Sequence, residues 1–250
     1  MRNLVILKDS VLCFCNELCP TVSLGKESKI VGICPNLDSE EVLVLTNNGI
    51  LVAQSLASSD TCLTSEPWCL NMVGEDDDQT WFSVGVVYES STIVCISHSG
   101  NIVSLIVERS TGSRPIPESE GCIDSGIADA SWSPDQSCIA IVTNNDSILL
   151  MTNTFDVINE VPLESRLQGS TCCVSWRGDG LQFALYSVDA HDGIARVRMF
   201  DRDLVLLHTG KTAAEGHGAI VKNLLPSLAY APNGSIVAGV QQRTPKKQQV

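Results

Sequence analysis

The amino-acid sequence predicts an all-β fold built from short antiparallel strands, and three observations support this prediction. Apolar residues come in short runs rich in Val, Ile and Leu, as they do in strands. Turn-forming pairs separate these runs, among them Asn48-Gly49, Ser99-Gly100 and Asp192-Gly193. No stretch shows the sustained apolar stripe of an amphipathic helix. The pattern therefore favours hairpins joined into sheets.

The apolar runs divide the chain into two series of predicted strands. The first series covers residues 30–34, 41–46, 50–56, 81–88, 92–97 and 101–108. The second series covers residues 138–143, 148–151, 171–176, 181–187 and 194–200. Many short strands of this kind are compatible with a sandwich, a barrel or a propeller, so the spacing of the strands has to decide between these folds.

An aromatic residue followed by a tight turn recurs along the second series. The three aromatic residues are Trp132, Trp176 and Tyr230, which are 44 and then 54 residues apart. Pro-Asp, Gly-Asp-Gly or Pro-Asn-Gly follows and can reverse the chain into the next strand. We expect each aromatic ring to end the innermost strand of a sheet and to wedge between adjacent sheets.

A second repeated feature is a turn that leads into an isoleucine. It occurs at Ile50, Ile102 and Ile148, with spacings of 52 and 46 residues. Because a four-stranded propeller blade takes about 40 to 45 residues, both spacings indicate one blade with loop insertions. The sequence thus predicts an incomplete WD40-like β-propeller of about four to five four-stranded blades. The propeller is expected over residues 1–241, followed by a polar basic tail at 242–250.

Composition excludes several functional classes. Among 250 residues, 16 are basic and 29 acidic, which gives a formal charge of −13. No Lys or Arg lies between Lys29 and Arg109, whereas eleven Asp and Glu do. A surface of this charge repels phosphate, so a direct nucleic-acid clamp is not expected. No membrane association is expected either, because no apolar run reaches the length of a spanning helix and no signal peptide is evident.

The eleven cysteines follow no disulfide framework. Several, such as Cys95 and Cys138, lie in apolar runs, where a free thiol behaves as a small hydrophobic group. A zinc site is the alternative, because Cys13, Cys15 and Cys19 are clustered. That cluster lacks the paired Cys-x-x-Cys spacing typical of zinc sites. The sequence therefore predicts no metal ligands.

Other candidate sites fail on chemistry or spacing. The four histidines (His98, His191, His208 and His217) are scattered, and no nucleophile elbow is present. Gly210-Lys211-Thr212 lacks the earlier glycine of a phosphate-binding loop, because Val205 occupies that position. The acidic run at 75–78 lacks the twelfth-position glutamate of an EF-hand, since that residue is Val87. No catalytic, cofactor-binding or metal-binding residue is predicted.

Two arginines needed a separate interpretation. Arg196 and Arg198 alternate with Val197 and Met199, which places the apolar and the basic side chains on opposite faces of a strand. A basic binding site is one interpretation. A strand packed on one side and solvated on the other explains the same pattern without a ligand, and this is the interpretation that we favour.

At these repeats the sequence resembles the N-terminal propeller region of the Elongator complex protein 1 family. The blocks of similarity keep their order along the chain and are Trp132-Ser133-Pro134-Asp135-Gln136, Leu149-Leu150-Met151-Thr152, Trp176-Arg177-Gly178-Asp179-Gly180, Val197-Arg198-Met199-Phe200-Asp201-Arg202-Asp203 and Leu228 to Ala238. The sequence departs from the family at Met199-Phe200 and Tyr230, and residues 9 to 125 match only in strand pattern. Because the family's protein is far longer, we expect this chain to be a fragment or a truncated product.

The resemblance implies a non-catalytic scaffold segment of Elongator, a complex that modifies wobble uridines of tRNA. The implied partners are other Elongator subunits, including the radical-SAM catalytic one, and the family's dimerisation region lies outside this segment. The expected location is the cytoplasm, with the nucleus as a second candidate. Two alternatives remain open: a WD40-type adapter of an unrelated complex, and a propeller hydrolase with an unrecognised channel site.

Overall fold

The structure, a computed structural model, places the chain in two compact units. They are Met1–Asp124, here the N-terminal unit, and Ser125–Val250, here the C-terminal unit. The described residues are 3–6, 11–15, 22–23, 30–36, 41–46, 49–54, 62–63, 80–106, 115–164, 167–211, 227–231, 234–235 and 237–240. Throughout these ranges every regular element is a β-strand. None of the described residues belongs to a helix that could cross a bilayer.

The N-terminal unit contains three antiparallel sheets in which strands that follow each other in sequence are neighbours. The first sheet consists of β1 (Asn3–Ile6), β2 (Val11–Cys15) and β3 (Val22–Ser23). The second consists of β4 (Ile30–Asn36), β5 (Glu41–Thr46), β6 (Gly49–Gln54) and β7 (Cys62–Leu63). The third consists of β8 (Trp81–Val87), β9 (Thr92–Ser97), β10 (Asn101–Ile106) and β11 (Pro117–Cys122). The first strands of the last two sheets, β4 and β8, pack against each other.

The C-terminal unit repeats this arrangement. One sheet consists of β12 (Ile127–Trp132), β13 (Cys138–Thr143), β14 (Ser147–Thr152) and β15 (Val157–Pro162). The next consists of β16 (Leu167–Trp176), β17 (Gln182–Asp189), β18 (Ala195–Asp201) and β19 (Leu206–Lys211). The described part of a third sheet is the pair β20 (Ser227–Tyr230) and β21 (Val237–Val240). Strand β16 packs against β12 on one side and β20 on the other, so each sheet is stacked as a propeller blade is.

Stacking explains why the middle strands are apolar at nearly every position. All six residues of β13 are buried, as are five of the six in both β9 and β14. A sheet covered on both faces buries successive side chains in both directions, so its strands lose the usual alternation of apolar and polar residues. The core between the sheets beginning at β12 and β16 includes Ala140, Leu150 and Phe183.

Both repeated sequence features occupy equivalent positions, as predicted. Trp132, Trp176 and Tyr230 are the last residues of β12, β16 and β20, and each pairs with a residue seven positions later on the next strand. The second feature also recurs in register: the buried isoleucines Ile50, Ile102 and Ile148 lie at the start of third strands.

The predicted strands are confirmed, most of them to within two residues at each end; the exception is 171–176, which begins at Leu167. The described residues form four four-stranded sheets, in agreement with the predicted four to five blades, and β20 and β21 are the described part of a further blade. The list of predicted strands was nevertheless incomplete, because it lacks β1 to β3, the inner strand β12 and the outer strands β7, β11, β15 and β19. In β11 and β15 most residues are exposed, so an apolar run does not mark these strands in the sequence.

Candidate functional site

A buried tryptophan fixes the sheet that begins at β16 onto the sheet that begins at β12. Trp176 Nε1 donates a hydrogen bond to the backbone oxygen of Ser131 on β12, at 2.8 Å. Its ring also packs against Phe183, with the ring centroids 5.0 Å apart. A large ring whose polar atom has a partner contributes both apolar area and a hydrogen bond. The prediction that the repeated aromatic lies between adjacent sheets is therefore confirmed for Trp176.

A carboxylate lies at the same interface. Asp129 on β12 accepts a hydrogen bond from the backbone N–H of Val174 on β16, at 2.6 Å. Burial raises the pKa of Asp129 to about 7, although hydrogen bonds from the backbone N–H groups of Val174 and Ala130 counteract part of the rise. Burial also raises the pKa of the neighbouring Cys173 thiol to about 11. The thiol is therefore protonated near neutral pH and is a poor nucleophile.

Arg202, in the turn between β18 and β19, joins the turns of the same two sheets. Its Nε donates to the backbone oxygen of Gly180, and its Nη2 forms an ion pair with Asp135 at 2.9 Å. The guanidinium carbon lies 5.9 Å from the centroid of the Trp176 ring. Partial burial raises the pKa of Asp135, but hydrogen bonds from Ser133, Arg202 and Ser137 outweigh it and hold that pKa well below its ordinary value. Arg202 thus links the turns of the two sheets through contacts within the chain.

The interpretation of Arg196 and Arg198 as a solvated strand face is wrong. Arg198 is 4% exposed, and its guanidinium binds the buried Asp189 carboxylate at 2.8 Å and Ser187 Oγ at 2.8 Å. Arg196 forms ion pairs with Asp189 and with Asp192. Hydrogen bonding to Arg196 lowers the pKa of Asp192. Because neighbouring sheets cover both faces of β18, its polar side chains need internal partners, and these carboxylates provide them.

In the C-terminal unit, the described arginines are therefore less available to a binding partner than the acidic residues are. Within the residues that the structure describes there are four arginines, and each forms an ion pair with an aspartate: Arg177 with Asp179, Arg196 and Arg198 with Asp189, and Arg202 with Asp135. Exposed acidic residues remain on the outer strand and turns of this unit, among them Asp156, Glu160, Glu164 and Asp203. The described surface is consequently acidic, and its arginines are already engaged.

Among the described residues of the C-terminal unit, four large apolar ones are more than half exposed. They are Val157, Ile158, Leu181 and Val205, here called the apolar patch. Asn159 Nδ2 donates to the backbone oxygen of Asp203 at 2.8 Å, which brings β15 to the turn between β18 and β19. On the other side of that turn, Arg202 binds Gly180, the residue before Leu181. The apolar patch therefore surrounds this one turn.

The residues that the sequence analysis considered as candidate ligands lie apart. Gly210 and Lys211 are part of β19, where they pair with Val197 and Arg196. His98 stacks on Phe82, and no three His, Cys, Asp or Glu among the described residues are placed to hold a metal ion. Cys95 and Cys138 are buried, which confirms the prediction that they behave as small hydrophobic groups. The acidic run at 75–78, Cys19, His217 and Thr212 lie outside the described residues.

Asp189 and Asp135 were not predicted from the sequence as partners of arginines. For Asp189, the strand register provides a signal. Arg196 on β18 pairs with Ser187 on β17, and Asp189 follows Ser187 by two residues. Asp135 has no comparable signal, since Arg202 reaches it from another sheet, 67 residues later.

Comparison with known proteins matches the whole chain to one family. The model described as "ELP1 first N-terminal beta-propeller" matches residues 1–171 and 165–250. Among curated proteins, Elongator complex protein 1 of Drosophila melanogaster is 28% identical over 208 residues, covering 66% of this chain. The Rattus norvegicus protein is 27% identical over 172 residues and covers 53%, and that of Schizosaccharomyces pombe is 27% identical over 164 residues and covers 65%. The chain spans only 12% to 15% of the length of these relatives.

A solved structure gives an independent view of the fold. The dihydro-heme d1 dehydrogenase NirN, solved in complex with DHE, superposes on 85% of this chain and 45% of its own with a TM-score of 0.57. At 14% identity this likeness shows a shared fold and carries no information on function. The family match, the repeated four-stranded sheets and the inter-sheet aromatics agree on an all-β propeller. This chain belongs to the family of the ELP1 first N-terminal beta-propeller.

Proposed function

We propose that this chain is a non-catalytic scaffold segment of Elongator, which supports modification of wobble uridines in tRNA through contacts with other subunits. The observation that carries the proposal is the family match along the chain, together with curated relatives named Elongator complex protein 1. In this proposal the radical-SAM catalytic subunit is among the partners, and the chemistry of the reaction belongs to it.

The charge distribution favours protein partners over tRNA. A protein that holds nucleic acid places several free Lys or Arg side chains against phosphates. Here each described arginine is already ion-paired to an aspartate, and the formal charge of the chain is −13. We propose that tRNA contacts are made elsewhere in the assembly, and that this segment works in the cytoplasm.

The test is reconstitution with defined subunits. The tagged chain is mixed with purified Elongator subunits, including the radical-SAM subunit, and the mixture is separated by size-exclusion chromatography. We expect the chain to co-elute with at least one subunit. If the chain binds none of them, the proposal fails. Stoichiometric purification with members of another complex would then favour the adapter alternative.

A second measurement separates the scaffold from an RNA-binding module. The chain alone is titrated into labelled tRNA at about 150 mM salt, where nonspecific binding by basic proteins still gives dissociation constants of about 10⁻⁴ to 10⁻⁶ M. We expect no binding in this range. Saturable tRNA binding by the chain alone would show that its role extends beyond holding protein partners.

A further inference from the structure

We propose that the apolar patch, formed by Val157, Ile158, Leu181 and Val205, docks a segment of a partner protein in which apolar side chains are flanked by Lys or Arg. This inference rests on the proposed function, because it takes the partner to be an Elongator subunit. It goes further by assigning the surface of this chain that makes the contact and the chemistry of the segment that covers it.

The side chains of the apolar patch are unusually exposed for large apolar residues. Val157 and Ile158 are consecutive residues of the outer strand β15 and are 56% and 52% exposed. Residues that succeed each other in a regular strand point to opposite faces, but the pairing of β14 with β15 is irregular at this point and skips Ile158. Val205 and Leu181, across the adjacent turn, are 54% and 58% exposed. All four lie in this turn or close to residues that it contacts, and exposed apolar side chains grouped in this way mark interaction sites more often than single ones do.

Acidic residues border the patch. Asp156 precedes Val157, Glu160 follows on the same strand, and Asp203 lies in the turn that Asn159 contacts; all three are exposed. The arginine of this turn, Arg202, is committed to Asp135 and Gly180. Basic side chains of a partner would therefore find carboxylates that no arginine of the described residues neutralises. Such complementarity directs association and selects partners.

The edge of β15 favours contact through side chains over addition of a strand. Asn159 Oδ1 accepts a hydrogen bond from the backbone N–H of Glu160, at 2.9 Å, while its Nδ2 holds the backbone oxygen of Asp203. This side chain thereby caps a backbone donor on the outer strand. Capping an edge donor opposes β-augmentation, which depends on such groups. The partner segment therefore lies across the patch and contacts the side chains of Ile158 and Val205.

The test uses matched substitutions in the full chain and the reconstituted subunits of the previous section. Ile158→Glu and Val205→Glu place a carboxylate in the patch, and Glu160→Lys reverses one bordering charge. Ile116→Glu is the control, because Ile116 is 77% exposed yet lies outside the patch. Thermal unfolding of each variant verifies the fold; because all these side chains are exposed, we expect melting temperatures close to that of the wild type.

We expect Ile158→Glu and Val205→Glu each to weaken binding by about tenfold or more, Glu160→Lys to weaken it in a salt-dependent manner, and Ile116→Glu to change it by less than about twofold. A photo-crosslinking amino acid at position 158 should label an apolar segment flanked by Lys or Arg. Wild-type affinity in both patch variants, or crosslinks only to acidic segments, would overturn the inference while leaving the scaffold role intact. If the wild-type chain binds no subunit, the proposed function itself fails.

Discussion

The two complete sheets of the C-terminal unit have the same strand register when Trp132 is aligned with Trp176, yet different side chains make the equivalent contacts. In this alignment Asp129 corresponds to Cys173. Asp129 accepts the backbone N–H of Val174 from the next sheet, and Cys173 interacts in the same way with the backbone N–H of Leu228. The contact between sheets is thus repeated, while the side chain that provides it is not.

The hairpins at the opposite end show the same contrast. In the β13–β14 hairpin, the buried Thr143 hydroxyl accepts the backbone N–H of Ser147 at 3.1 Å and bonds its side chain at 2.8 Å. The corresponding residues in β17 and β18 are Ser187 and Arg196, and this longer hairpin adds Asp189 and its ion pairs. Neutral hydroxyl groups stabilise the β13–β14 hairpin, whereas buried ion pairs stabilise the β17–β18 hairpin. The two sheets should therefore respond very differently to matched substitutions.

The largest expected effect is at Asp189. Asp189→Asn leaves Arg198 buried without its carboxylate, and breaking a buried pair in this way costs about 3–5 kcal/mol. We expect the free energy of unfolding, measured by urea denaturation of the 250-residue chain, to fall by about that amount. By contrast, Thr143→Val in the neighbouring hairpin removes a neutral hydroxyl and should cost only about 1–2 kcal/mol.

A double variant sharpens this result. Arg198 aligns with Leu149 of β14, so Arg198→Leu introduces the group that the neighbouring sheet already uses. We expect Asp189→Asn combined with Arg198→Leu to be more stable than Asp189→Asn alone, because the uncompensated cation is gone. Additive losses would show that the ion pair does not couple these two positions.

The second prediction concerns pH, because only one of the equivalent residues Asp129 and Cys173 titrates near neutrality. The pKa of Asp129 is raised to about 7 in the folded chain, so the folded state binds its proton more tightly than the unfolded state does. Its stabilising contribution is full below about pH 4 and is lost as the pH rises through 7. Each unit between the folded-state pKa and the ordinary Asp pKa of about 4 in the unfolded chain corresponds to about 1.4 kcal/mol. The pH-dependent change in the free energy of unfolding therefore has an upper bound of about 4 kcal/mol.

Asp129→Asn should remove this pH dependence, since a neutral amide oxygen can still accept the Val174 N–H. Urea denaturation at pH 5.5 and pH 8 is the measurement. We expect the variant to exceed the wild type in stability at pH 8 and to lose about half of that advantage at pH 5.5. If the stability difference between the variant and the wild type is the same at both pH values, the titrating group is not Asp129.

The third prediction compares the two tryptophans. Trp176 Nε1 donates to Ser131, whereas the buried Trp132 Nε1 finds no acceptor among the described residues. Trp176→Phe should therefore cost about 2 kcal/mol, through the lost hydrogen bond and the lost contact with Arg202. Trp132→Phe removes an unsatisfied donor along with some ring volume, so its net cost should be smaller by about 1 kcal/mol. Thermal denaturation of both variants is the check, and equal losses would contradict it.

The contrast between the sheets also shows what the sequence can and cannot predict. Middle strands such as Cys138–Thr143 are predicted to the residue, because burial on both faces forces a continuous apolar run. The outer strand Val157–Pro162 escapes prediction, because only part of it touches the core. Repeats aligned on Trp132, Trp176 and Tyr230 predict the fold, since each aromatic occupies the same register position.

The candidate site was predicted less well, and for a physical reason. Alternation within Arg196–Met199 indicates which residues share a face, but it does not indicate what covers that face. The neighbouring sheet covers it here, so the predicted solvated face is a buried ion-pair cluster. Likewise, the apolar patch depends on Asn159 bringing β15 to a turn 44 residues later. Periodicity within one strand indicates neither the aspartate near the end of the adjacent strand that binds these arginines nor the contact between distant segments that forms the patch.

The smallest expected effect is at the turn after each tryptophan. Gln136, Gly180 and Gly234 occupy equivalent turn positions with φ values of 55°, 68° and 69°. Glycine adopts this left-handed conformation at little cost, whereas Gln136 is strained and its Oε1 is buried without a described partner. Gln136→Gly should therefore raise stability by about 0.5–1 kcal/mol in thermal denaturation, with the larger unfolded-state entropy of glycine limiting the gain. The reciprocal Gly180→Ala should destabilise, because its Cβ would approach Arg202 Nη2 to 3.0 Å and loosen the tie between the sheets. A loss of stability in Gln136→Gly would mean that this side chain packs usefully in the turn despite its backbone strain.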